Sequence, residues 1–378
     1  MRVAIVGAGP AGLYLAYLLK RSKLKVEVEV FEQNPADATF GFGLVFSERA
    51  LEFLNDEDPD TLAAIRPALE HWNDSILVHK GREVRIDGMG YTGIGRLRLL
   101  QILQARACSV GVEPKYLHTI DNLETCGDAD LIVGADGVNS VVRRGYENVF
   151  GTTITYLTNR FAWFGTAKKF EALTHTFVET GLGQFNAHHH PHAPDMSTFV
   201  VEVDEPTFFR AGFDEVDADQ AKAVCEQVFT ETLDGHRLVS NKSIWRQFPK
   251  VWNERWSIGN RVLVGDALHT AHFSIGSGTR LAMEDAIALV RAIVAHDDLS
   301  DGLTAYEAVR KPIARKIVEA ANRSGEWYER FGAAMQLEPL DLAFAYITRS
   351  GRIDLDRLRQ LSPAFMNAYE TRRRGASP

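Results

Sequence analysis

The chain has 378 residues, of which 45% are apolar and 24% charged, so it can bury a full globular core. Its formal net charge of −8 argues against general nucleic-acid binding, and an anionic substrate would need a local cluster of basic side chains. The three cysteines lack paired spacing, and no run of 18 apolar residues occurs. We therefore expect a reducing, cytoplasmic location and no membrane span.

The stretch 3–19 is typical of a dinucleotide-binding turn. An apolar strand at 2–6 runs into GAGPAG and then into a helical pattern over 13–21. In this motif the glycines permit a tight turn, close approach of a pyrophosphate, and close packing of helix on strand. A second strand at 26–31 ends before an acid with the spacing expected for binding ribose hydroxyls. These patterns predict an FAD or NAD site contacted by Gly7, Gly9, Pro10, Ala11, Gly12, Glu32 and Gln33.

Two later stretches also place a turn directly after an apolar strand. Asp136 follows a strand at 131–133, although an Asp-Gly pair by itself more often marks an ordinary turn. A strand at 262–264 precedes Gly265 and Asp266, and a long helix then opens with Gly276, Gly278 and Thr279. Asp266 could bond a ribityl hydroxyl, and the helix N-terminus could face the flavin edge that becomes anionic on reduction. FAD would need all three stretches and NAD only the first; alternatively, these glycines cap a core helix.

The motifs GAGPAG (7–12), GADGVNSVVR (134–143) and GDALHTAHFSIGSG (265–278) resemble those of the single-component FAD-dependent aromatic monooxygenases, the p-hydroxybenzoate hydroxylase-like group. The segments GFGLVFSERALEFL, FAWFGTAKKF, STFVVEV, AHFSIGSGT and NRSGEWYERF are similar to salicylyl-CoA 5-hydroxylases and to the monooxygenase half of anthraniloyl-CoA monooxygenase/reductase. Phe273 stands where the wider group usually has proline, which favours this narrower assignment. The sequence given has no counterpart of the reductase half, so ring reduction is not expected.

The resemblance implies an α/β fold in which a Rossmann-like FAD-binding domain carries an inserted, mainly antiparallel sheet and C-terminal helices. We expect the FAD-binding domain at 1–150 and 261–335, with some strands of the substrate layer within 70–95. The substrate-covering sheet is expected at 151–260 and the C-terminal helices at 336–378. A homodimer is compatible with this organisation.

The resemblance also implies a reaction. NADH or NADPH would reduce FAD, and a flavin C4a-hydroperoxide formed with O2 would hydroxylate an aromatic ring. Since no second Rossmann unit accompanies the one around GAGPAG, the nicotinamide cofactor would bind transiently. The expected substrate is an aryl-CoA thioester, most plausibly salicylyl-CoA hydroxylated at C5. The alternatives are a hydroxylase of a free aromatic such as an indole amino acid, as in the more distantly similar violacein-pathway enzyme, and a flavin-binding module without turnover.

Further site residues follow from the resemblance and from residue chemistry. Arg96 and the loop residues Gly43, Leu44 and Val45 are expected at the flavin. His188, His272 and Phe273 are the candidates for assisting the ring, and Phe46, Phe164 and Lys168 for binding the substrate. Each of these could instead be a core or a solvated side chain. His189, His190 and His192 are expected in a solvated loop, and no metal is expected because no acid or cysteine set accompanies them.

Overall fold

The computed structural model describes residues 1–375, so the last three residues of the predicted C-terminal segment lie outside it. The strands are β1 (Arg2–Val6), β2 (Glu27–Phe31), β3 (Gly43–Ser47), β4 (Glu70–Trp72), β5 (Ser75–His79), β6 (Arg82–Ile86), β7 (Tyr91–Gly95), β8 (Leu131–Gly134), β9 (Thr152–Tyr156), β10 (Arg160–Thr166), β11 (Leu173–Thr180), β12 (Gly183–Ala193), β13 (Met196–Val203), β14 (Leu238–Ser240), β15 (Pro249–Asn253), β16 (Ser257–Ile258) and β17 (Arg261–Leu263).

The α-helices are α1 (Pro10–Arg21), α2 (Phe53–Glu57), α3 (Pro59–Ile65), α4 (Arg96–Ser109), α5 (Val141–Arg144), α6 (Glu147–Phe150), α7 (Glu205–Arg210), α8 (Ala218–Val228), α9 (Thr230–Leu233), α10 (Gly278–Ala295), α11 (Leu299–Tyr328), α12 (Phe331–Ala334), α13 (Pro339–Thr348), α14 (Leu355–Leu361) and α15 (Pro363–Gly375). Short 3-10 turns include Gly265–Ala267 and Phe273–Ile275. Within residues 1–375, no helix combines the length and apolar character that crossing a membrane requires.

The first sheet has the order β16-β17-β8-β1-β2, and all neighbours except β16 and β17 run parallel. We call it the parallel sheet. Its central strands are continuous apolar runs, because helices cover a parallel sheet on both faces. The predicted strands at 2–6, 131–133 and 262–264 are confirmed to within a residue or two. They come from distant parts of the sequence and become neighbours here.

The second sheet has the order β14-β10-β13-β12-β11-β5-β6, and only β5 and β11 pair in parallel. We call it the large sheet. Its outer face packs on α7 to α9 around Phe185, Phe199 and Phe229. Its inner face packs on the C-terminal helices through Phe177, Leu77 and their neighbours. Two strands of this sheet, β5 and β6, lie upstream of 151–260.

The histidine-rich segment is a buried strand, so the prediction of a solvated loop for His189, His190 and His192 was wrong. All three residues are at most 8% exposed within β12. His189 stacks on Phe199, and His190 stacks on Trp72. A loop was expected because the run is polar; aromatic stacking and the extended pairing of β12 with β11 and β13 offset that polarity.

Candidate active site

The turns after β1, β8 and β17 meet at one edge of the parallel sheet, since the carboxyl ends of parallel neighbours lie together. Gly7 has φ +103°, and a Cβ atom on it would lie 2.4 Å from the carbonyl oxygen of Ala135. Gly265 has φ +60°, and its Cβ atom would lie 3.1 Å from that of Ala11. The three glycine-bearing stretches are therefore in contact, and glycine is required at both positions.

The first turn leaves room for a phosphate group. A Cβ atom on Gly9 would meet no atom within 4 Å, whereas one on Gly12 would lie 2.0 Å from the carbonyl oxygen of Gly7. Helix α1 starts with Pro10, has no side-chain cap and carries no acid in its first turn. Its N-terminal N–H groups and its dipole therefore fit a pyrophosphate, as FAD requires.

Glu32 lies beside the same turn, at the end of β2. Its Oε2 accepts a hydrogen bond from the Ala8 N–H at 2.9 Å, and its Oε1 accepts from the backbone and side chain of Asn34. The next residue, Gln33, is exposed. These bonds hold the carboxylate at the position from which it can accept from ribose hydroxyls.

We call the space between these turns and the large sheet the cleft. Glu32 lies at one end of it, and Asp266 and Arg96 lie at the other. Asp266 keeps accessible surface although protein surrounds it. Burial raises the pKa of its carboxyl, while Arg96 and His269 act to lower it. Burial lowers the pKa of Arg96, and the nearby Asp266 opposes this. An acid enclosed by protein yet accessible fits a hydroxyl-bearing ligand such as the ribityl chain.

The segment around β3 closes on the start of α10. Gly276 has φ +59°, and a Cβ atom on it would lie 2.5 Å from the carbonyl oxygen of Val45. A Cβ atom on Gly43 would lie 2.4 Å from that of His192, so β3 also touches the large sheet. Leu44, between Gly43 and Val45, is half-buried. Helix α10 begins at Gly278 and Thr279 with neither a side-chain cap nor an acid in its first turn, which suits an anionic flavin edge.

Asp136 is occupied by its own turn. Its Oδ2 accepts from the Val141 N–H at 2.6 Å, and burial raises the pKa of the carboxyl. This geometry fits the ordinary-turn alternative for Asp136. The turn still contributes to the cleft, because Ala135 touches Gly7.

Strand register determines which residues of the large sheet face the cleft. One cross-strand row contains His175, His188, Val200 and Trp163, and the next contains Phe177, Asn186, Glu202 and Phe161. His188, Phe161 and Trp163 contact Phe273, so both rows lie on the inner face. Since side chains alternate along a strand, the row through Phe164, Phe199 and His189 lies on the outer face.

Phe164 and Lys168 are therefore not placed at the cleft. Phe164 is 1% exposed in the outer core with Phe199. Lys168 lies 5.6 Å from the Phe170 ring and 3.6 Å from the carboxylate of Asp234. Phe164 was assigned to the substrate because β10 is rich in aromatic residues, whose faces follow only from strand register. Lys168 lies beyond the end of β10, and its side chain turns to Phe170 and Asp234.

Phe46 lies in the core that surrounds the parallel sheet. It is 2% exposed, and it pairs across the strands with Thr92 of β7. Its neighbour Val45 presents the carbonyl oxygen that meets Gly276. The structure thus places the backbone of this segment, and not the Phe46 ring, at the cleft.

Phe273 is at the centre of an aromatic chamber. Its ring centroid lies 4.8 Å from Phe161, 6.1 Å from Trp163, 5.3 Å from His188 and 4.1 Å from His272. Phe273 itself is half-buried, so it borders open space. The guanidinium of Arg96 lies 5.5 Å over the Trp163 ring and connects this chamber to the Asp266 end of the cleft.

His188 and His272 are neutral imidazoles. Burial lowers the pKa of His272 to about 3, and the charge of Arg349 acts in the same direction. Burial also lowers the pKa of His188 well below its ordinary value, with His190, His272 and Arg349 contributing. Because both favour the neutral form, they suit hydrogen bonding better than proton uptake. Within residues 1–375, no group of three His, Cys, Asp or Glu side chains has the geometry for a metal ion.

A polar cluster beside these histidines was not predicted from the sequence. The Tyr346 hydroxyl lies 2.5 Å from Nε2 of His175, and the Tyr328 hydroxyl lies 3.3 Å from its Nδ1. The Arg349 guanidinium lies 3.9 Å over the Tyr346 ring. Nothing in the local sequence marked these residues, because the contacts join α11 and α13 to a strand more than 150 positions earlier.

Comparison with known proteins gives a consistent result. A profile described as an FAD binding domain matches residues 103–321, and one described as an NAD(P)-binding Rossmann-like domain matches residues 5–41. A salicyloyl-CoA 5-hydroxylase of a Streptomyces species is 40% identical over 93% of this chain and 70% of that protein. A 3-hydroxy-4-methyl-anthranilyl-(aryl-carrier protein) 5-monooxygenase of Streptosporangium sibiricum is 37% identical over 93% of this chain and 95% of that protein.

Among solved structures, a tetrameric 2-methyl-3-hydroxypyridine-5-carboxylic acid oxygenase superposes with a TM-score of 0.69 at 18% identity, over 95% of this chain and 97% of that one. This likeness shows a shared fold. The matched FAD-binding profile and the 40% identity go further and agree with the convergent turns. The chain therefore belongs to the FAD-dependent aromatic monooxygenases.

Proposed function

We propose that this enzyme hydroxylates the aromatic ring of an aryl thioester, with salicylyl-CoA as the leading substrate and C5 as the position hydroxylated. The observation that carries the proposal is the half-buried Phe273, enclosed by Phe161, Trp163 and His188 beside the glycine turn that opens α10. A ring substrate in this chamber would lie next to the flavin edge and away from water.

Different residues would bind the two halves of FAD, one set at each end of the cleft. Gly9, the N-terminus of α1 and Glu32 would hold the pyrophosphate and ribose, and Asp266 with Arg96 would hold the ribityl chain. Bound FAD, reduced by NAD(P)H, would supply the activation of dioxygen that ring hydroxylation requires. The aromatic chamber would orient the ring and exclude water from it.

The thioester is supported by the two curated relatives. Their names specify a CoA thioester in one case and an aryl group on a carrier protein in the other. Both carriers present the aryl group through a thioester, so recognition of that linkage would be common to them. The carrier protein is our second candidate, because the chain spans 95% of that relative.

Three basic side chains near the end of β10 and at its start, which could meet CoA phosphates, each lie beside an acid. Lys168 lies 3.6 Å from Asp234, Lys169 lies 3.9 Å from Glu70, and Arg160 lies 3.6 Å from Glu205. Exposed pairs of this kind contribute little to stability, and a phosphate could displace the acid. The proposal therefore rests on the aryl end of the substrate.

Turnover assays test the proposal. The enzyme loaded with FAD would be given salicylyl-CoA, a salicylyl carrier protein, free salicylate or tryptophan, with NADH or NADPH. We expect substrate-stimulated oxidation of the nicotinamide and a product heavier by one oxygen atom with a thioester only. Turnover of a free aromatic alone would overturn the thioester assignment, and oxidation without any product would overturn the hydroxylase assignment for these compounds.

A further inference from the structure

We propose that Arg349, together with the neutral His272 that it orients, forms an anion-stabilising site for the ionised ring hydroxyl of a phenolic substrate. This inference rests on the proposed function, since it specifies the chemistry of the substrate in the same chamber. It assigns a role to a residue at the end of a short helix that no motif marks.

Arg349 ties three elements together. Its Nε donates to the Ser324 hydroxyl of α11 at 3.0 Å, and its Nη1 donates to the Tyr346 carbonyl of α13 at 2.6 Å. Its Nη2 donates to the carbonyl of Ser274, in the turn that follows His272, at 2.7 Å. The guanidinium is thereby held against the loop that precedes α10.

The same bonds fix the tautomer of His272. The Ser324 hydroxyl accepts from Arg349 and lies 2.7 Å from the Ser274 hydroxyl, which lies 2.7 Å from Nδ1 of His272. If each hydroxyl passes its proton onward, Nδ1 accepts and the ring proton resides on Nε2. Nε2 of His272 is buried and has no partner within the described residues. His272 thus retains an unused N–H donor.

Arg349 has no carboxylate counter-ion within residues 1–375. Burial acts to lower the pKa of its guanidinium, but neighbouring tyrosine hydroxyls outweigh this and raise it, so the charge persists. The acid in electrostatic contact with it, Glu202, has a pKa raised by burial to about 8 and is neutral at pH 7. The titratable groups that face Arg349 from all elements are Tyr91, His175, His188, Glu202, His272, Tyr328 and Tyr346.

None of these groups neutralises Arg349 near pH 7. An enclosed cation without an anion is costly, and a ligand that brings a negative charge removes that cost. Three of the five guanidinium N–H groups donate to neutral oxygens, and the Tyr346 hydroxyl is a further hydrogen-bond partner, which leaves one for a ligand. Half-buried Arg349 and half-buried Phe273 both border accessible space. A phenol bound there would lose its proton to water more readily, and its ring would become richer in electrons.

The test measures the pKa of a bound phenol without turnover. The probes are 5-nitrosalicylyl-CoA and 4-nitrophenol, whose phenolates absorb visible light, titrated on the FAD-loaded enzyme across pH. We expect the wild-type enzyme to lower the pKa of a bound probe by about one to three units, as a cation does for a nearby acid. Arg349→Gln should abolish this shift, and Arg349→Lys should retain part of it.

Arg323→Gln is the matched control. Arg323 is exposed and donates to the carbonyl of Ser350 at 3.1 Å, so it supports the residue that follows Arg349 and has no bond to Ser274 or His272. The control should keep the wild-type shift. If Arg349→Gln fails to bind FAD or to fold, Ser324→Ala interrupts the chain to His272 but keeps the charge, and a shift smaller than wild type is then expected.

The inference would be overturned if the probe bound to Arg349→Gln had the same pKa as the probe bound to the wild-type enzyme. The same holds if its pKa were at the wild-type value in both Arg349→Lys and Ser324→Ala. A wild-type enzyme that turns over a thioester but binds the phenol without any shift would overturn it while leaving the proposed function intact. Failure of both probes to bind, together with absent turnover, would remove the proposed function and this inference with it.

Discussion

Trp163 and Phe164 are consecutive residues of β10 that lie on opposite faces of the large sheet. Trp163 stands 6.1 Å from Phe273 and beneath the Arg96 guanidinium, whereas Phe164 is 1% exposed in the outer core. Trp163 therefore lines the active site, whereas Phe164 supports the sheet from its opposite face.

This pair gives a matched test of the chamber. Trp163→Ala should lower kcat/KM by about 10- to 100-fold with a small change in unfolding free energy, since it disturbs ring placement. Phe164→Ala should cost about 3–5 kcal/mol of stability, because it empties a packed core position. Steady-state kinetics and denaturant unfolding would be compared, and a reversal of the two phenotypes would contradict the assigned faces.

Two glycines of the first turn should respond differently to one added methyl group. Gly9→Ala meets no protein atom within 4 Å, so the chain should fold normally but lose at least about tenfold in FAD affinity, as the methyl occupies the pyrophosphate space. Gly12→Ala forces a 2.0 Å contact with the Gly7 carbonyl and should reduce stability as well. Flavin fluorescence and thermal unfolding report the two effects. Normal FAD affinity in Gly9→Ala would place the pyrophosphate elsewhere.

The neutral histidines predict the pH dependence of ring hydroxylation. Because burial holds the pKa of His188 well below 6.5 and that of His272 at about 3, neither should titrate between pH 5 and 8. The rate of single-turnover hydroxylation, plotted against pH, should therefore show no inflection near pH 6.5 that depends on His188. An inflection near pH 6.5 that is present in the wild-type enzyme and absent in His188→Gln would show that the imidazole acts as a base.

The raised pKa of Glu202 predicts how the free energy of unfolding depends on pH. Burial raises its pKa from 4.5 to about 8, while a hydrogen bond from Asn159 acts to lower it. A raised folded-state pKa means that the contribution to stability is complete below pH 4.5 and is lost as pH rises to about 8. Glu202→Gln should flatten this part of the profile in urea unfolding at several pH values. An equal slope in both proteins would indicate that Glu202 ionises normally.

Much of the nucleotide site could be predicted because its signals are local. Gly7, Gly12 and Glu32 have fixed spacings along one strand–helix–strand unit, and the structure places them together. Asp266 and Gly276 carried similar local signals. Their convergence followed from parallel strand ends, a geometric rule that needs no side-chain detail.

The substrate side could not be predicted in the same way. Phe164 was misplaced because alternation on a strand depends on register, and register is set by β13 and β12. Lys168 lies in the loop after β10, where its ion pair with Asp234 has no local sequence signal. The histidines of β12 looked polar in sequence, yet they are buried against aromatic rings. Arg349 and Tyr346 reach the chamber only through packing of the C-terminal helices, which no short motif encodes.

The order of the parallel sheet has a consequence for biosynthesis. Strand β17 completes the sheet beside β8, and its Gly265 turn touches the Ala11 that follows β1. These partners are separated by more than 250 residues, so the ribosome must release most of the chain before the nucleotide cradle can close. FAD can therefore bind only late, and until then the apolar faces of β1 and α1 that these partners cover stay exposed, which favours aggregation of incomplete chains.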